Sequence, residues 1–201
     1  MIRVLLAEDQ SMVRGALASL LGLEADIEVV SQVSRGDEVV AAALAARPDV
    51  AVLDIEMPGM TGLEAADELG RALPECRVLI VTTFGRPGYL RRAMEGGAVG
   101  FLLKDAPASE LAHAIRRAAA GERVVDPGLA AAALSQGESP LTAREHEVLA
   151  ASRQYATIAD IAAAVYLSPG TVRNHLSSVM RKLDARNRAE AVRVAEEKGW
   201  L

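Results

Sequence analysis

At 201 residues and 51% hydrophobic, the chain can bury one large core or two ordinary ones, and its composition excludes disordered and collagen-like classes. Its single cysteine, Cys76, excludes an internal disulfide, its apolar opening run is too short for a signal-peptide core, and no run approaches the roughly 18 residues of a membrane span, so a cytoplasmic protein with no membrane partner is expected. The net charge of −5 argues against a nucleic-acid partner for the chain as a whole, yet residues 141–201 carry nine Lys and Arg against seven Asp and Glu, which points to a second domain with an anionic partner of its own.

The chain opens on the apolar run "IRVLLA" (2–7), short and rich in Val, Ile and Leu as a buried strand requires. A stretch with helical spacing follows at 11–22, then "IEVVSQV" (27–33), a helical stretch at 35–46, and "DVAVLD" (49–54). The alternation continues with a helix at 62–72, "RVLIVTT" (77–83), a helix at 87–96, "GFLLK" (100–104) and a helix at 107–120. Five β-α units in succession predict a five-stranded parallel sheet, doubly wound with helices on both faces, over residues 1–120. Residues 121–140, rich in Gly, Pro and Ser, read as a linker holding one short helix near 128–134.

No strand pattern follows Leu141. Thr142 with Glu145 forms a capping-box signature for a helix at 143–153, and Thr157 or Ala159 opens a second near 158–165. Ser168 at the N-cap and Pro169 behind it begin a third, and 188–198 supplies a fourth, stopped by Gly199. A small all-α domain is expected over 141–201.

The strand ends carry the chemistry. The first strand runs into Glu8 and Asp9, the third into Asp54, the fourth into Thr82 and Thr83, and the fifth into Lys104. Each acid alone reads as a turn or cap. Brought to one sheet edge, three carboxylates repel one another, and a lone lysine does not neutralise them. A hard divalent ion such as Mg²⁺ meets that need, accepting carboxylates, a backbone carbonyl and a phosphoryl oxygen. The set suits phosphoryl transfer.

With its acidic pair Glu8-Asp9, "DIEMPGMTG" around Asp54, Thr82 and "GFLLKD" around Lys104, the segment 2–120 resembles the receiver domain of two-component response regulators, a flavodoxin-like fold. The resemblance implies that Asp54 accepts phosphate from a sensor histidine kinase. It further implies that Glu8, Asp9, Asp54 and the backbone carbonyl of Glu56 hold Mg²⁺, and that Thr82 and Lys104 contact the phosphoryl oxygens. Phe101 stands where such domains carry an aromatic that swings inward as the threonine moves, and Asp105 stands where they often carry Pro. A receiver promotes its own phosphoryl transfer and dephosphorylation without being an enzyme in the usual sense.

In the third helix of the second domain, Val172, Leu176, Val179 and Leu183 form a core-facing stripe. The opposite face offers Arg173, Asn174, Ser177, Ser178, Arg181 and Lys182, with Arg186 and Arg188 beyond. In a helix-turn-helix such a face enters the major groove. The three histidines, His113, His146 and His175, lack metal-ligand spacing and read as structural or surface residues. At 3%, aromatic content offers no platform for single-stranded nucleic acid.

The segments "LTAREHEVL" and "IADIAAAVYLSPGTVRNHLSSVMRKLDARNRAEAV" resemble the LuxR-type DNA-binding domain, and the whole chain resembles the NarL/FixJ class of response regulators. "AEDQ", "LDIEMPGMTGLEAA", "TTFGRPGY" and "EKGW" are similar to the branch that regulates fatty-acid desaturase genes. The resemblance implies that Arg173, Asn174 and Ser177 face bases and that Thr171 and Lys182 lie nearer phosphate; Arg181 is a further DNA-binding candidate, and the position of Arg188 beyond the helix points to a backbone contact. Ala159 stands where the family commonly carries a Lys that meets phosphate. The expected partners are double-stranded promoter DNA, RNA polymerase and a second copy of the chain upon phosphorylation. Two other classes remain open at this point: an aspartyl-phosphate phosphohydrolase, which would want an Asp where Glu56 stands, and a phosphate-independent DNA-binding protein.

Overall fold

The computed structural model describes residues 1–83, 87–135 and 139–201. The chain divides into two compact units, one of Met1–Gly85 and Leu90–Ala130, the other of Ala131–Leu201 with the short stretch Arg86–Tyr89. That division falls inside the stretch expected to be a linker, of which 136–138 lie outside the described residues.

The first unit alternates strands and helices: β1 (Ile2–Ala7), α1 (Ser11–Leu21), β2 (Ile27–Val33), α2 (Val39–Ala46), β3 (Val50–Leu53), α3 (Gly62–Ala72), β4 (Arg77–Thr82), α4 (Pro87–Glu95), β5 (Gly100–Leu103) and α5 (Ala108–Ala119). All pairings are parallel, in the order β2-β1-β3-β4-β5, and the sheet then continues into a sixth strand, β6 (Val124–Val125). Five strands were expected, so β6 is a correction. Two residues carry no readable period, yet Val124 and Val125 pair with Gly100 and Phe101 and close the edge of β5. A helix α6 (Pro127–Ser135) follows, where the sequence reading placed a short one.

Both faces of the central strands are covered, which explains their continuous apolar runs. Val4, Leu6, Val50, Val52, Leu79 and Val81 join Leu111, Ile115 and Ala118 of α5 in one buried cluster. The alternate residues Leu5, Ala51, Leu53, Val78 and Ile80 are equally buried. A core of this kind holds the strand ends rigidly, so chemistry at those ends inherits fixed geometry.

The second unit packs α7 (Ala143–Gln154), α8 (Ile158–Ala164), α9 (Pro169–Lys182) and α10 (Arg188–Glu197) around Val148, Leu149, Ile161, Val172, Leu176, Val179, Ala191 and Ala195. The N-caps fall where the sequence places them. Thr142 and Glu145 close a reciprocal capping box, Thr157 accepts from Asp160 N–H, and Ser168 accepts from Thr171 N–H with Pro169 inside the first turn. Among the described residues, no helix is long and apolar enough to cross a membrane.

Candidate phosphoryl-transfer site and nucleic-acid interface

Strand register brings the predicted groups of the first unit to one level. Ala7 lies opposite Leu53, Leu53 opposite Ile80, and Ile80 opposite Phe101. The residues that follow are held by the same ladder: Asp54 N–H donates to the Ala7 carbonyl at 2.9 Å, and Lys104 N–H to the Thr82 carbonyl at 2.8 Å. The strand order reverses between β1 and β3, and open α/β sheets bind ligands beyond the carboxyl ends at such a point.

At that edge the Lys104 ammonium bridges two acids. Its Nζ lies 2.6 Å from Glu8 Oε2 and 2.9 Å from Asp54 Oδ2, with Glu8 1% and Asp54 5% exposed. Burial is the largest influence on Glu8 and raises its pKa; the Lys104 hydrogen bond offsets only part of this. Burial opposes the charge on Lys104 as well, but its hydrogen bonds to Glu8 and Asp54 outweigh it and raise its pKa. The second oxygen of each acid is held by backbone: Gln10 N–H donates to Glu8 Oε1 at 3.2 Å, and Ile55 N–H to Asp54 Oδ1 at 2.7 Å. Arg14 of α1 donates to the Glu8 backbone carbonyl, a brace that sequence reasoning missed because nothing in the helix pattern marks it.

Asp9 completes the set from the solvent side. Ligand oxygens of Glu8, Asp9 and Asp54 all lie within 4.8 Å of one another, a group that could hold a metal ion. The donors are all carboxylate oxygens and they outnumber the one ammonium, so the residues present fit a hard divalent cation. The loop after Asp54 is equally constrained. A Cβ on Gly62 would sit 1.8 Å from the Asp54 carbonyl oxygen, so only glycine lets α3 begin this close, and Thr61 with Glu64 caps that helix. Glu56 lies on this loop with its side chain exposed, and Thr82 is fully buried at the end of β4.

Phe101 is 1% exposed. The ring expected to swing inward is already inside, on a strand flanked by β4 and β6 and level with buried Ile80. Any switching at Phe101 is therefore a repacking of a buried ring, not its entry from solvent. The Lys104-Asp105 peptide is trans, as are the other described bonds.

In the second unit, Val172, Leu176, Val179 and Leu183 are buried as their spacing predicts. Arg173, Asn174, Ser177 and Arg181 are exposed, and among the described residues neither Arg173 nor Arg181 makes a hydrogen bond or ion pair. Thr171 is half-buried, its hydroxyl 2.8 Å from Ser168 Oγ. Two expected backbone contacts are engaged elsewhere. Arg188 donates to the Ala156 carbonyl at 2.9 Å, and Lys182 Nζ lies 2.6 Å from Oε2 of buried Glu145. The sequence reading put Lys182 nearer DNA phosphate; in this structure its ammonium answers a carboxylate that α7 brings inside the domain. Ser178 hydroxyl donates to the same carboxylate at 2.7 Å. The capping-box position of Glu145 was legible, whereas its second role, holding α9, was not.

Burial works to raise the Glu145 pKa, but hydrogen bonds from Lys182, the Thr142 backbone and Ser178 outweigh it and lower it from 4.5 to about 2. A carboxylate depressed in the folded state contributes stability above its unfolded pKa and loses it as pH falls through the folded one. The second unit should accordingly lose stability between about pH 4.5 and pH 2. Glu145→Gln should destabilise it at neutral pH by about 1.5–3 kcal/mol, the range for hydrogen bonds to charged groups. The acid-limb change should vanish in that variant. Thermal melts of both proteins across that pH range check this, and an unaltered acid limb in Glu145→Gln would contradict it.

Comparison with known proteins agrees with this geometry. Residues 4–116 match the response regulator receiver domain family, and residues 139–195 match the bacterial regulatory proteins of the luxR family. Over its whole length and theirs, the chain is 48% identical to an uncharacterized transcriptional regulatory protein YvfU and 46% identical to the transcriptional regulatory protein DesR, both of Bacillus subtilis (strain 168). Among solved structures, the response regulator ChrA of a heme-sensing two-component system is 36% identical, with a TM-score of 0.58 over 100% of this chain and 98% of that one. Receiver domain and LuxR-type helical domain thus occur together in one chain, which belongs to the NarL-type family of response regulators.

Proposed function

We propose that Asp54 is the phosphoacceptor of this response regulator and that its phosphorylation controls promoter binding by the second unit. The observation that carries this reading is the buried Lys104 ammonium between Glu8 and Asp54. It pre-positions a cation beside a carboxylate that lies at the sheet's switch point. A carboxylate oxygen of Asp54 attacks the phosphorus of a phosphohistidine on a sensor histidine kinase; the N–P bond breaks, its electron pair stays with the imidazole, and an acyl phosphate forms. Lys104 then turns from Asp54 to a phosphoryl oxygen while keeping Glu8, and the Thr82 hydroxyl contacts another. Glu8, Asp9, Asp54 and the Glu56 carbonyl would hold Mg²⁺, which when bound supplies charge neutralisation for the transferring group. Hydrolysis of the acyl phosphate at the same site returns the chain to its resting state, so the receiver turns over its own switch without acting on an external substrate.

The phosphoryl group adds roughly −1.5 to −2 charges and new acceptor oxygens at the end of β4. Pulling Thr82 toward those oxygens repacks the buried Phe101 on the neighbouring strand and biases the adjacent helical faces. One helix-turn-helix covers a half-site, so the useful output is a dimer on double-stranded promoter DNA, with RNA polymerase as a further partner. The all-oxygen acceptor set with Lys104 favours this reading over a phosphate-independent one. Glu at position 56 in place of a second Asp disfavours a phosphohydrolase. Resemblance of the motifs to the branch that regulates fatty-acid desaturase genes extends the reading to membrane-lipid genes as targets, and the family's setting supports a cytoplasmic protein.

Sedimentation of the full chain with Mg²⁺, with and without a small acyl-phosphate donor, tests the output. The mass should double on phosphorylation. Equal mass at every concentration under both conditions would remove phosphorylation-driven dimerisation.

A further inference from the structure

Tyr166 sits in the turn between α8 and α9 with 93% of its surface exposed and a backbone φ of 53°. The left-handed region is open to glycine and, through local hydrogen bonding, to Asn and Asp, but a bulky aromatic side chain is disfavoured there. Nothing in the domain repays that strain, because the ring is almost wholly in solvent. The backbone around it is nonetheless firmly held. Arg144 of α7 donates to the Val165 carbonyl at 2.9 Å, and Leu167 N–H to the Ala162 carbonyl at 2.9 Å. Leu167 packs against the domain core on the one side, and Ser168 opens α9 on the other. The turn is therefore a rigid mount that projects an aromatic ring outward, two residues before the N-cap of the helix whose exposed face carries Arg173 and Asn174.

We infer that Tyr166 is a DNA contact, its ring and phenol hydroxyl meeting the sugar-phosphate backbone at the groove edge where α9 enters; this rests on the DNA-binding reading of the second unit. Tyrosine suits the place. Its hydroxyl donates to a phosphate oxygen, its ring covers deoxyribose, and having few torsions it loses little freedom on binding. Being neutral, it displaces no counterion. Its loss should weaken binding to any duplex without altering the salt dependence, a signature that separates it from Arg181.

The test uses the full chain with wild-type Tyr166, Tyr166→Phe and Tyr166→Gly, titrated against a mixed-sequence duplex at several salt concentrations, together with thermal melts. Tyr166→Phe, which removes only the hydroxyl, should bind about tenfold more weakly with an unchanged melting temperature, as loss of one hydrogen bond to a charged phosphate implies. Tyr166→Gly, which suits the left-handed turn, should melt no lower than wild type and bind about thirtyfold more weakly, with the salt slope of wild type. Wild-type affinity in Tyr166→Gly would overturn this inference while leaving DNA binding intact. A wild-type chain that bound no duplex would overturn both this inference and the reading beneath it.

Discussion

Asp54→Ala should take up no phosphate from a small acyl-phosphate donor in Mg²⁺, whereas the unaltered chain gains an acid-stable, base-labile acyl phosphate. The effect is all-or-none because the proposed reading gives Asp54 alone the acceptor's place, buried at the switch point with a hydrogen bond from the Lys104 ammonium at 2.9 Å and with Glu8 and Asp9 as metal-ligand partners. Glu8 also touches Lys104, and each acid has its second oxygen held by a backbone N–H, so the Asp54→Ala variant is what separates the two as acceptor. Replacing Glu8 and Asp9 together by Ala should abolish the Mg²⁺ dependence of labelling instead of shifting it, since the donor set would shrink to one carboxylate and a carbonyl. Mass spectrometry of the labelled chains distinguishes these outcomes; phosphate retained in Asp54→Ala would sink the assignment.

Arg173→Ala should cost about 1–3 kcal/mol on the cognate promoter site and little on scrambled DNA, the loss of one base-reading side chain. Arg173 lies on the first turns of α9, which enter the groove deepest, and among the described residues its guanidinium has no partner that it must first leave. Arg181, equally unpartnered and two turns further on, should behave as a phosphate contact. Arg181→Ala should weaken binding to both duplexes and flatten the salt slope by about one unit. Lys182→Ala should instead lower the melting temperature of the second unit and leave the salt slope nearly unchanged, because its charge is answered by Glu145. Equal losses on cognate and scrambled duplexes for Arg173→Ala would place that residue on the backbone.

The alternation of strands and helices was legible because each central strand is buried on both faces and so reads as a short unbroken apolar run. The strand-end groups were legible for a related reason: Glu8, Asp54 and Lys104 each interrupt such a run at its carboxyl end, where no core position calls for a charge. β6 was hidden because two valines in a Gly- and Pro-rich stretch have no period, and only the exposed edge of β5 gives them a partner. Phe101 was placed on the correct strand, yet its burial depends on what packs around that strand, β4 and β6 among it, which is tertiary information. Lys182 shows the same limit. Its spacing puts it on the polar side of α9, but the carboxylate that claims it comes from a helix 37 residues earlier in the chain, beyond the reach of any local pattern.

Affinity for DNA, measured with the phosphoryl group on and off Asp54, tests the central claim most directly. Duplexes captured from the source genome by the phosphorylated chain would be titrated with wild type and Asp54→Ala, each in Mg²⁺ with and without the acyl-phosphate donor. Wild type should bind more tightly, and as a dimer, only when the donor is present, and Asp54→Ala should bind alike under both conditions. Wild-type affinity indifferent to the donor, or tightening that survives in Asp54→Ala, would contradict it.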